Sequence, residues 1–292
     1  MRKLKNVYYL SISGIKFSVA MEKEIEITRA FFPFVTNQQH TDFKACFQKV
    51  TELPLMPEET LYEDRCYRVH LDDAGRFLKS FFNPPKDYTP YAISYYDELQ
   101  KCLNVKYLEK GEKCLSEFQN TFFHLSFEEI LIRHKRLCVH ASCVETDFGG
   151  ILFSGPSGIG KSTQAENWCK YRGALQINGD RPILSKDDLG WKAWGSPYAG
   201  SSRCYENCSC LVKAIVILRQ SKQCALRRMS GIEAFKAIWA GATVHSWDKR
   251  YMETACDMVR ELIQNIPVFE FCCTPDEQAV DYLETEFKKE VL

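Results

Sequence analysis

The segment from residue 155 to residue 163 constrains this chain more than any other stretch. It reads GPSGIGKST and matches the pattern G-x-x-x-x-G-K-[ST] of a phosphate-binding loop. Its glycines let the backbone turn tightly, so that the N–H groups can point inward and form a nest for an anion. Lys161 provides a mobile positive charge for the β- and γ-phosphates, and the Ser162 hydroxyl can bind Mg²⁺. The predicted nucleotide-binding residues are Gly155, Pro156, Ser157, Gly158, Ile159, Gly160, Lys161, Ser162 and Thr163.

The residues on both sides of this segment suit such a loop. The apolar run 150–154 predicts a buried strand, and residues 161–172 predict a helix. Gly173 is a typical residue to end that helix. The helix would present the positive end of its dipole to the same phosphates. The sequence therefore predicts a strand, a phosphate-binding loop and a helix in succession.

Composition narrows the class of protein. The chain has 292 residues, 45% of them hydrophobic, which is enough for one large domain or two of ordinary size. The 38 basic residues balance the 38 acidic ones, which argues against a dedicated binder of nucleic acid or of a membrane surface. The N-terminal residues do not resemble a secretory signal, so we expect a cytoplasmic protein whose 14 cysteines are free thiols.

The N-terminal part, residues 1–120, predicts a strand-rich α+β module for recognition of a substrate or partner. Alternating apolar residues over 6–20 indicate a β-hairpin, and another strand is expected near 66–71. Prolines 84, 85 and 90 predict a loop over 77–91. Residues 113–134 predict one helix or a pair of helices.

The C-terminal part, residues 121–292, has the pattern of an α/β domain. Strands are expected over 137–144, 149–154 and 213–218, with amphipathic helices over 230–240 and 249–264. A strand over 268–271 precedes a last helix, for which Pro275 is the expected first residue.

Three further residues are candidates for chemistry. Asp180 follows a short strand about twenty residues after Lys161, where a carboxylate can hold Mg²⁺ or accept the proton of an attacking hydroxyl. The alternative is an ordinary aspartate in an Asn-Gly-Asp turn. Arg181 could face a phosphate or solvent, and His140, on the strand before the loop, could be structural.

The run from His140 to Asp180 resembles the HPr kinase/phosphorylase-like kinases, which have the phosphoenolpyruvate carboxykinase-like P-loop fold. The similarity is carried by HAS, a hairpin, SGPSGIGKST, a helix that ends in RGA, and INGDR. The wider group includes small kinases that are encoded with ribosomally made peptides and phosphorylate peptide serines. The resemblance implies that Asp180, Lys161 and His140 are catalytic residues, and that Ser162 and Asp180 bind the metal.

The chain also departs from that family. HPr kinases have two adjacent acids where this chain has Gly179 and Asp180, and their downstream signature centred on Arg-Gly is absent. The small-residue loop 195–202 occupies that part of the chain. Its hydroxyls could form a second site for an anion or substrate. The predicted substrate or phosphate contacts are Arg181, Ser201, Ser202 and Arg203.

Together these features predict an ATP-dependent kinase that transfers the γ-phosphoryl group to a hydroxyl, with a serine of a peptide or small protein as acceptor. The expected cofactors are Mg²⁺ and ATP, with GTP left open. One alternative is a regulatory module that binds or hydrolyses a nucleotide without an acceptor, and another is a small-molecule kinase. The sequence leaves open whether the chain forms a homo-oligomer.

Overall fold

The structure is a computed structural model that describes residues 6–83, 85 and 87–290, with every side chain among them except those of Ser201 and Glu290. It is a mixed α/β protein with two sheets. The chain divides into two compact units between Phe127 and Glu128. No helix in the described ranges is long and apolar enough to cross a lipid bilayer. The roles given to the two predicted domains stay predictions.

The N-terminal unit contains one eight-stranded sheet, in the order β1-β2-β3-β8-β7-β6-β5-β4. Its strands are β1 (Asn6–Ile12), β2 (Ile15–Met21), β3 (Phe43–Lys49), β4 (Tyr62–Glu63), β5 (Tyr67–Leu71), β6 (Phe77–Asn83), β7 (Asp87–Asp97) and β8 (Cys102–Tyr107). The predicted hairpin is confirmed as the antiparallel pair β1 and β2. The strand expected near 66–71 is confirmed as β5.

The core of this unit is aromatic. Two short 3₁₀ helices, Arg29–Phe34 and Glu109–Leu115, and the helix α1 (Phe118–Phe123) accompany the sheet. The Phe17 and Phe43 rings stack with centroids 4.9 Å apart, and Phe127 lies 5.3 Å from Phe17. These three rings are completely or almost completely buried. The apolar face of the sheet, which includes Phe17 and Phe43, therefore packs against Phe127, which follows the sheet in the chain.

The loop predicted over 77–91 is wrong, because this segment contains β6 and the beginning of β7. Pro90 lies in β7 before the pairing with β8 begins at Ala92. The register with β6 also shifts between Phe81 and Asn83, which pair with Ala92 and Asp87. Proline cannot donate a ladder hydrogen bond, and it is tolerated here because the pairing is interrupted at its position.

His124 is buried in this unit and its ring is held on both sides. Nδ1 lies 2.8 Å from the Asn120 carbonyl oxygen, and Nε2 lies 2.9 Å from the Tyr91 hydroxyl. Burial lowers the pKa of His124 to about 4, and the charge of Lys79 acts in the same direction.

We therefore expect His124 to reduce the stability of the protein at acid pH. Between about pH 6.5 and about pH 4 the unfolded chain binds a proton that the folded chain excludes, so the free energy of unfolding falls as the pH falls through this window. The loss should be on the order of 3 kcal/mol. Urea unfolding of wild type and His124→Gln at several pH values measures it. The variant should lose this part of the pH dependence, and the exposed control His40→Gln should keep it. Equal profiles for wild type and His124→Gln would contradict the prediction.

The C-terminal unit is a three-layer α/β structure. Its elements are α2 (Phe127–Arg133), β9 (Arg136–Cys138), β10 (Ala141–Thr146), β11 (Gly149–Ser154), α3 (Lys161–Arg172), β12 (Leu175–Asn178), β13 (Ile183–Asp187), β14 (Gly190–Trp194), β15 (Ser209–Gln220), β16 (Ala225–Arg228), α4 (Gly231–Gly241), α5 (Lys249–Asn265), β17 (Val268–Cys273) and α6 (Glu277–Glu290). Seven strands follow the order β12-β10-β11-β15-β14-β13-β9, and β17 joins β15 and β16.

Helices cover both faces of this sheet. Residues of α4 and α5 pack with Leu152 of β11 on one face. Residues of α3 and α6 pack with Ile151 and Phe153 on the other. Successive residues of β11 therefore point into different layers, as the period of a strand requires. The predicted helices over 161–172, 230–240 and 249–264 are confirmed as α3, α4 and α5.

Two predicted boundaries in this unit are wrong. The strand expected over 137–144 is two strands, β9 and β10, which lie in distant parts of the same sheet. The last helix begins at Glu277 rather than at Pro275. The first error matters for function, since His140 lies at the break between β9 and β10.

Two cysteine thiols are in contact in the centre of the sheet, and one of them occupies the space that a side chain at position 150 would need. β10 and β15 both pair with β11, and their Cys143 and Cys210 sulfurs lie 3.6 Å apart. A Cβ added to Gly150 of β11 would lie 2.6 Å from the Cys210 sulfur. Glycine at this position therefore lets the two thiols meet over the intervening strand.

Candidate active site

The phosphate-binding segment connects β11 to α3. Gly155, Gly158 and Gly160 have φ values of 140°, 77° and 113°, a region that residues with a Cβ rarely adopt. Ser162 and Thr163 lie in the first turn of α3 and are half-buried, whereas the side chains at 156 and 157 are exposed. The helix ends at Gly173, which is left-handed with a φ of 65°. The strand, loop and helix predicted from the sequence are all present.

The side chain of Lys161 is buried in the structure, whereas the sequence predicted a mobile positive charge. It is only 7% exposed, and its Nζ donates to the carbonyl oxygens of Gly155 at 3.2 Å and Pro156 at 3.1 Å. Burial lowers the pKa of Lys161, and Asp180 opposes this effect. The ammonium is thus bound to its own loop, and a phosphate would compete with two carbonyl oxygens for it.

Asp180 is positioned by the buried side chain of Asn178. The Asn178 Oδ1 accepts hydrogen bonds from the backbone N–H groups of Asp180 at 3.0 Å and Arg181 at 2.7 Å. Its Nδ2 donates to the Ser196 carbonyl oxygen at 3.2 Å. The turn that carries Asp180 is therefore fixed from beneath and joined to the 195–202 loop, while the carboxylate stays partly exposed.

His140 reaches Asp180 because the chain leaves the sheet at its position. Its backbone N–H donates to the Gly241 carbonyl oxygen at 2.7 Å, and its carbonyl oxygen accepts from the Ser154 hydroxyl at 3.1 Å. The His140 Nε2 lies 3.3 Å from the Asp180 Oδ1. Burial, followed by the charge of Lys161, lowers the pKa of His140. A neutral imidazole next to the Asp180 carboxylate is the resulting arrangement at neutral pH.

The loop 195–202 packs directly against this turn. A Cβ added to Gly179 would lie 1.8 Å from the Ser202 hydroxyl, and one added to Gly200 would lie 2.9 Å from the Asp180 Cβ. The Ser202 hydroxyl donates to the Ala199 carbonyl oxygen at 2.7 Å. Ser202 therefore occupies the space that a side chain at position 179 would need.

The other residues predicted to contact a substrate or phosphate differ in their distance from Asp180 and in their exposure. The Arg181 Nη1 donates to the Thr243 hydroxyl at 2.9 Å, and its Nε lies 3.8 Å from the Asp180 Oδ2. Arg203 is exposed, with a left-handed φ of 53°, and has no hydrogen-bond or ion-pair partner among the described residues. The Ser201 side chain lies outside the described part of the chain. The structure thus brings Arg181 to Asp180, and no such contact is present for Arg203.

Position 179 offers a direct test of this packing. We expect Gly179→Asp, which introduces a second acid next to Asp180, to lower the free energy of unfolding by roughly 1–3 kcal/mol through overpacking. The double variant Gly179→Asp with Ser202→Gly removes the overlapping hydroxyl and should recover much of this loss. Thermal or urea unfolding measures both. A fully stable Gly179→Asp single variant would mean that Ser202 moves away freely.

Several supporting residues were missed from the sequence. Asn178 carried a recognisable signal, because an Asn-Gly-Asp run favours a turn in which the first side chain caps the following N–H groups. Gly241 and Thr243 carried none, since they lie far along the chain and meet His140 and Arg181 only after folding.

Some of these residues have the donor chemistry for a magnesium nucleotide. The Ser162 hydroxyl and the Asp180 carboxylate are oxygen ligands of the kind that Mg²⁺ prefers. The described residues contain no cluster of three or more His, Cys, Asp or Glu side chains that could hold a metal by themselves. A site of this composition suits Mg²⁺ that is shared with substrate phosphates, which usually retains several waters.

No protein-family model and no curated protein matches this chain. Among solved structures, the chain is similar to the HPr(Ser) kinase/phosphatase from Coxiella burnetii. The match has 14% sequence identity and a TM-score of 0.34, and it covers 52% of this chain and 97% of that chain. The likeness is distant, so the roles of individual residues depend on the geometry of this chain itself.

Proposed function

We propose that the C-terminal unit is a P-loop kinase domain of the phosphoenolpyruvate carboxykinase-like class that transfers the γ-phosphoryl group of ATP to a hydroxyl. The observation that carries this proposal is the pairing of two features. One is a loop with three left-handed glycines and Lys161. The other is the Asp180 carboxylate, whose charge acts on that lysine and which lies 3.3 Å from the His140 Nε2. The first suits a nucleotide, and the second suits proton removal from an acceptor.

The residues of the site have different roles in the proposed phosphoryl transfer. The loop N–H groups, the N-terminus of α3 and Lys161 hold the β- and γ-phosphates and offset the negative charge of the transition state. Ser162 and Asp180 would hold Mg²⁺, which screens the phosphate oxygens when it is bound. The acceptor oxygen attacks the γ-phosphorus, and the bond between that phosphorus and the β,γ-bridging oxygen breaks. The hydroxyl proton passes to Asp180, while His140 keeps that carboxylate oriented.

The acceptor belongs to the same proposal. A serine of a peptide or small protein would approach Asp180 beside Arg181, whose guanidinium also lies close to the carboxylate. The N-terminal unit is proposed to recognise the peptide or partner. GTP in place of ATP is compatible with the same loop, because the loop contacts phosphates rather than the base.

One observation favours a second function, a nucleotide-hydrolysing regulatory module. Asp180 stands without a second adjacent acid, and Ser202 fills the space where one would lie. A site with a single carboxylate could hold a nucleotide and activate water without a dedicated acceptor.

The test uses the full chain with Mg-ATP and a degenerate serine peptide library, next to a matched library in which alanine replaces serine. Mass spectrometry should find phosphopeptides only in the serine library, together with ADP. Formation of ADP and inorganic phosphate without phosphopeptide would favour the hydrolysing module. Phosphorylation of a metabolite mixture instead of peptides would favour a small-molecule kinase. No consumption of ATP or GTP under any of these conditions would contradict the proposal.

A further inference from the structure

A second concavity lies at the opposite end of the strands that lead to the phosphate-binding loop. Its volume is about 390 Å³, and β14, β15, β16 and the α5–β17 connection contribute to its wall. β11 and β15 run parallel from the pair Gly150–Val212 to the pair Ser154–Ile217, and the loop follows Ser154. This cavity, which includes Val212 and Lys213, is therefore at the amino ends of these strands. Substrates of open α/β sheets bind beyond the carboxyl ends of the strands. The cavity is therefore distinct from the candidate active site at the phosphate-binding loop.

The cavity has two cations without partners. Lys213 and Arg228 both line it and are exposed, and neither side chain has an ion pair or hydrogen bond within the described ranges. The adjacent Arg227 differs, because it pairs with Glu233 and Glu270. No Asp or Glu is among the described residues that line the cavity.

The stem of Lys213 lies over a glycine of β11. A Cβ added to Gly149 would lie 2.6 Å from the Lys213 Cγ, so the lysine stem crosses a position that has no side chain. Its ammonium group has no ion pair or hydrogen bond among the described residues. Glycine at position 149 therefore leaves room for the Lys213 side chain to cross β11.

The wall as a whole has somewhat more polar than apolar surface, and Leu189 is its most exposed large apolar side chain. Leu189 is 73% exposed, although it is a large apolar residue, and Ile266 and Trp191 are buried beside it. The cavity volume of about 390 Å³ lies within the range of small-ligand pockets.

We propose that this cavity binds a small organic anion with an apolar body, such as an aryl or alkyl carboxylate. The carboxylate would lie between Lys213 and Arg228, and the apolar part would pack against Leu189, Leu211 and Pro267, which line the cavity with accessible apolar surface. This ligand differs from the nucleotide and the hydroxyl acceptor of the proposed kinase reaction.

A structural role for the two cations is the competing explanation. α5 ends at Asn265 beside the cavity, and cations near the C-terminus of a helix stabilise its dipole. In that case, charge reversal would lower the stability of the protein, and no carboxylate would bind. Binding and unfolding measurements on the same variants separate the two roles.

The test is calorimetric titration of the full chain with naphthylacetate and with the neutral analogue naphthylacetamide. Naphthylacetate should bind and the amide should bind about tenfold more weakly or not at all. Lys213→Glu and Arg228→Glu should each weaken naphthylacetate binding by about tenfold or more. The control Lys236→Glu reverses an exposed, unpaired charge on α4 and should bind as wild type does.

Three results would overturn the proposal. They are equal affinity for the acid and the amide, full affinity in both charge-reversal variants, or no binding of naphthylacetate to wild type at millimolar concentration. A lower free energy of unfolding in the two variants without any naphthylacetate binding would assign the cations to the end of α5 and would also overturn it. The Lys161→Ala variant should bind naphthylacetate normally, because Lys161 is not part of this cavity. This inference can therefore fail or succeed independently of the kinase reaction.

Discussion

Lys161→Ala should reduce nucleotide-dependent turnover by about 10²-fold or more while the protein stays folded. The variant removes the one side-chain cation of the phosphate-binding loop, and loss of a single charge-stabilising donor typically has an effect of this size. Stability should change little, although the side chain is buried. Burial lowers the pKa of Lys161, which means that its charged form is less favourable in the folded loop than in water. That cost offsets much of what the two hydrogen bonds to the Gly155 and Pro156 carbonyl oxygens contribute.

The measurements are Mg-ATP affinity, turnover and thermal unfolding. A matched control is Lys170→Ala, which removes an exposed lysine from the same helix and should retain wild-type turnover. Unchanged nucleotide affinity and turnover in Lys161→Ala would rule out the loop as a nucleotide site. A variant that fails to fold would show that the two carbonyl contacts stabilise the loop far more than we expect.

Asp180→Asn should lower the rate of phosphoryl transfer by about 10²–10⁴-fold, the usual cost of losing a general base. Asparagine keeps the shape of the side chain, and the backbone contacts to Asn178 stay in place. Nucleotide binding should weaken less, because Lys161 and the loop N–H groups still hold the phosphates. A large loss of Mg-dependent affinity would instead assign Asp180 mainly to the metal, so binding and transfer must be measured together.

Asp187→Asn is the appropriate control for this variant. Asp187 lies at the end of β13 and pairs with Lys192, so its replacement removes a carboxylate from the same unit but not from the site. Wild-type transfer by Asp180→Asn would remove this residue from the mechanism and weaken the kinase proposal as a whole.

The sequence predicted the loop and its neighbours well because each depends on local chemistry. Three glycines before Lys161, an apolar run before them and a helical pattern after them determine the backbone with little help from distant residues. The state of Lys161 was not predictable in this way. Its burial depends on hydrogen bonds from its Nζ to carbonyl oxygens of the same loop, and no sequence pattern encodes these contacts.

The wrong strand assignment at 137–144 has a long-range cause. The apolar pattern continues through Val139 and His140, but their N–H groups bond to Pro182 and Gly241, which lie far along the chain. Tertiary pairing therefore outweighs local propensity there. In the N-terminal unit, Pro90 suggested a loop, but it lies in β7 where the register with β6 is irregular, so no regular ladder hydrogen bond is required of it.

The reactivity of Cys143 and Cys210, whose thiols are in contact over Gly150, can be used to measure local opening of the sheet. All 14 cysteines are free, and Cys143 and Cys210 are at most 3% exposed. A thiol-specific reagent can reach this pair only when the middle of the sheet opens, whereas partly exposed cysteines such as Cys256 should react from the native state. The labelling rate of the buried pair, followed by peptide mass spectrometry, would thus give the free energy of that opening. If Mg-ATP binds to the loop at the end of β11, it should slow this labelling in proportion to its occupancy.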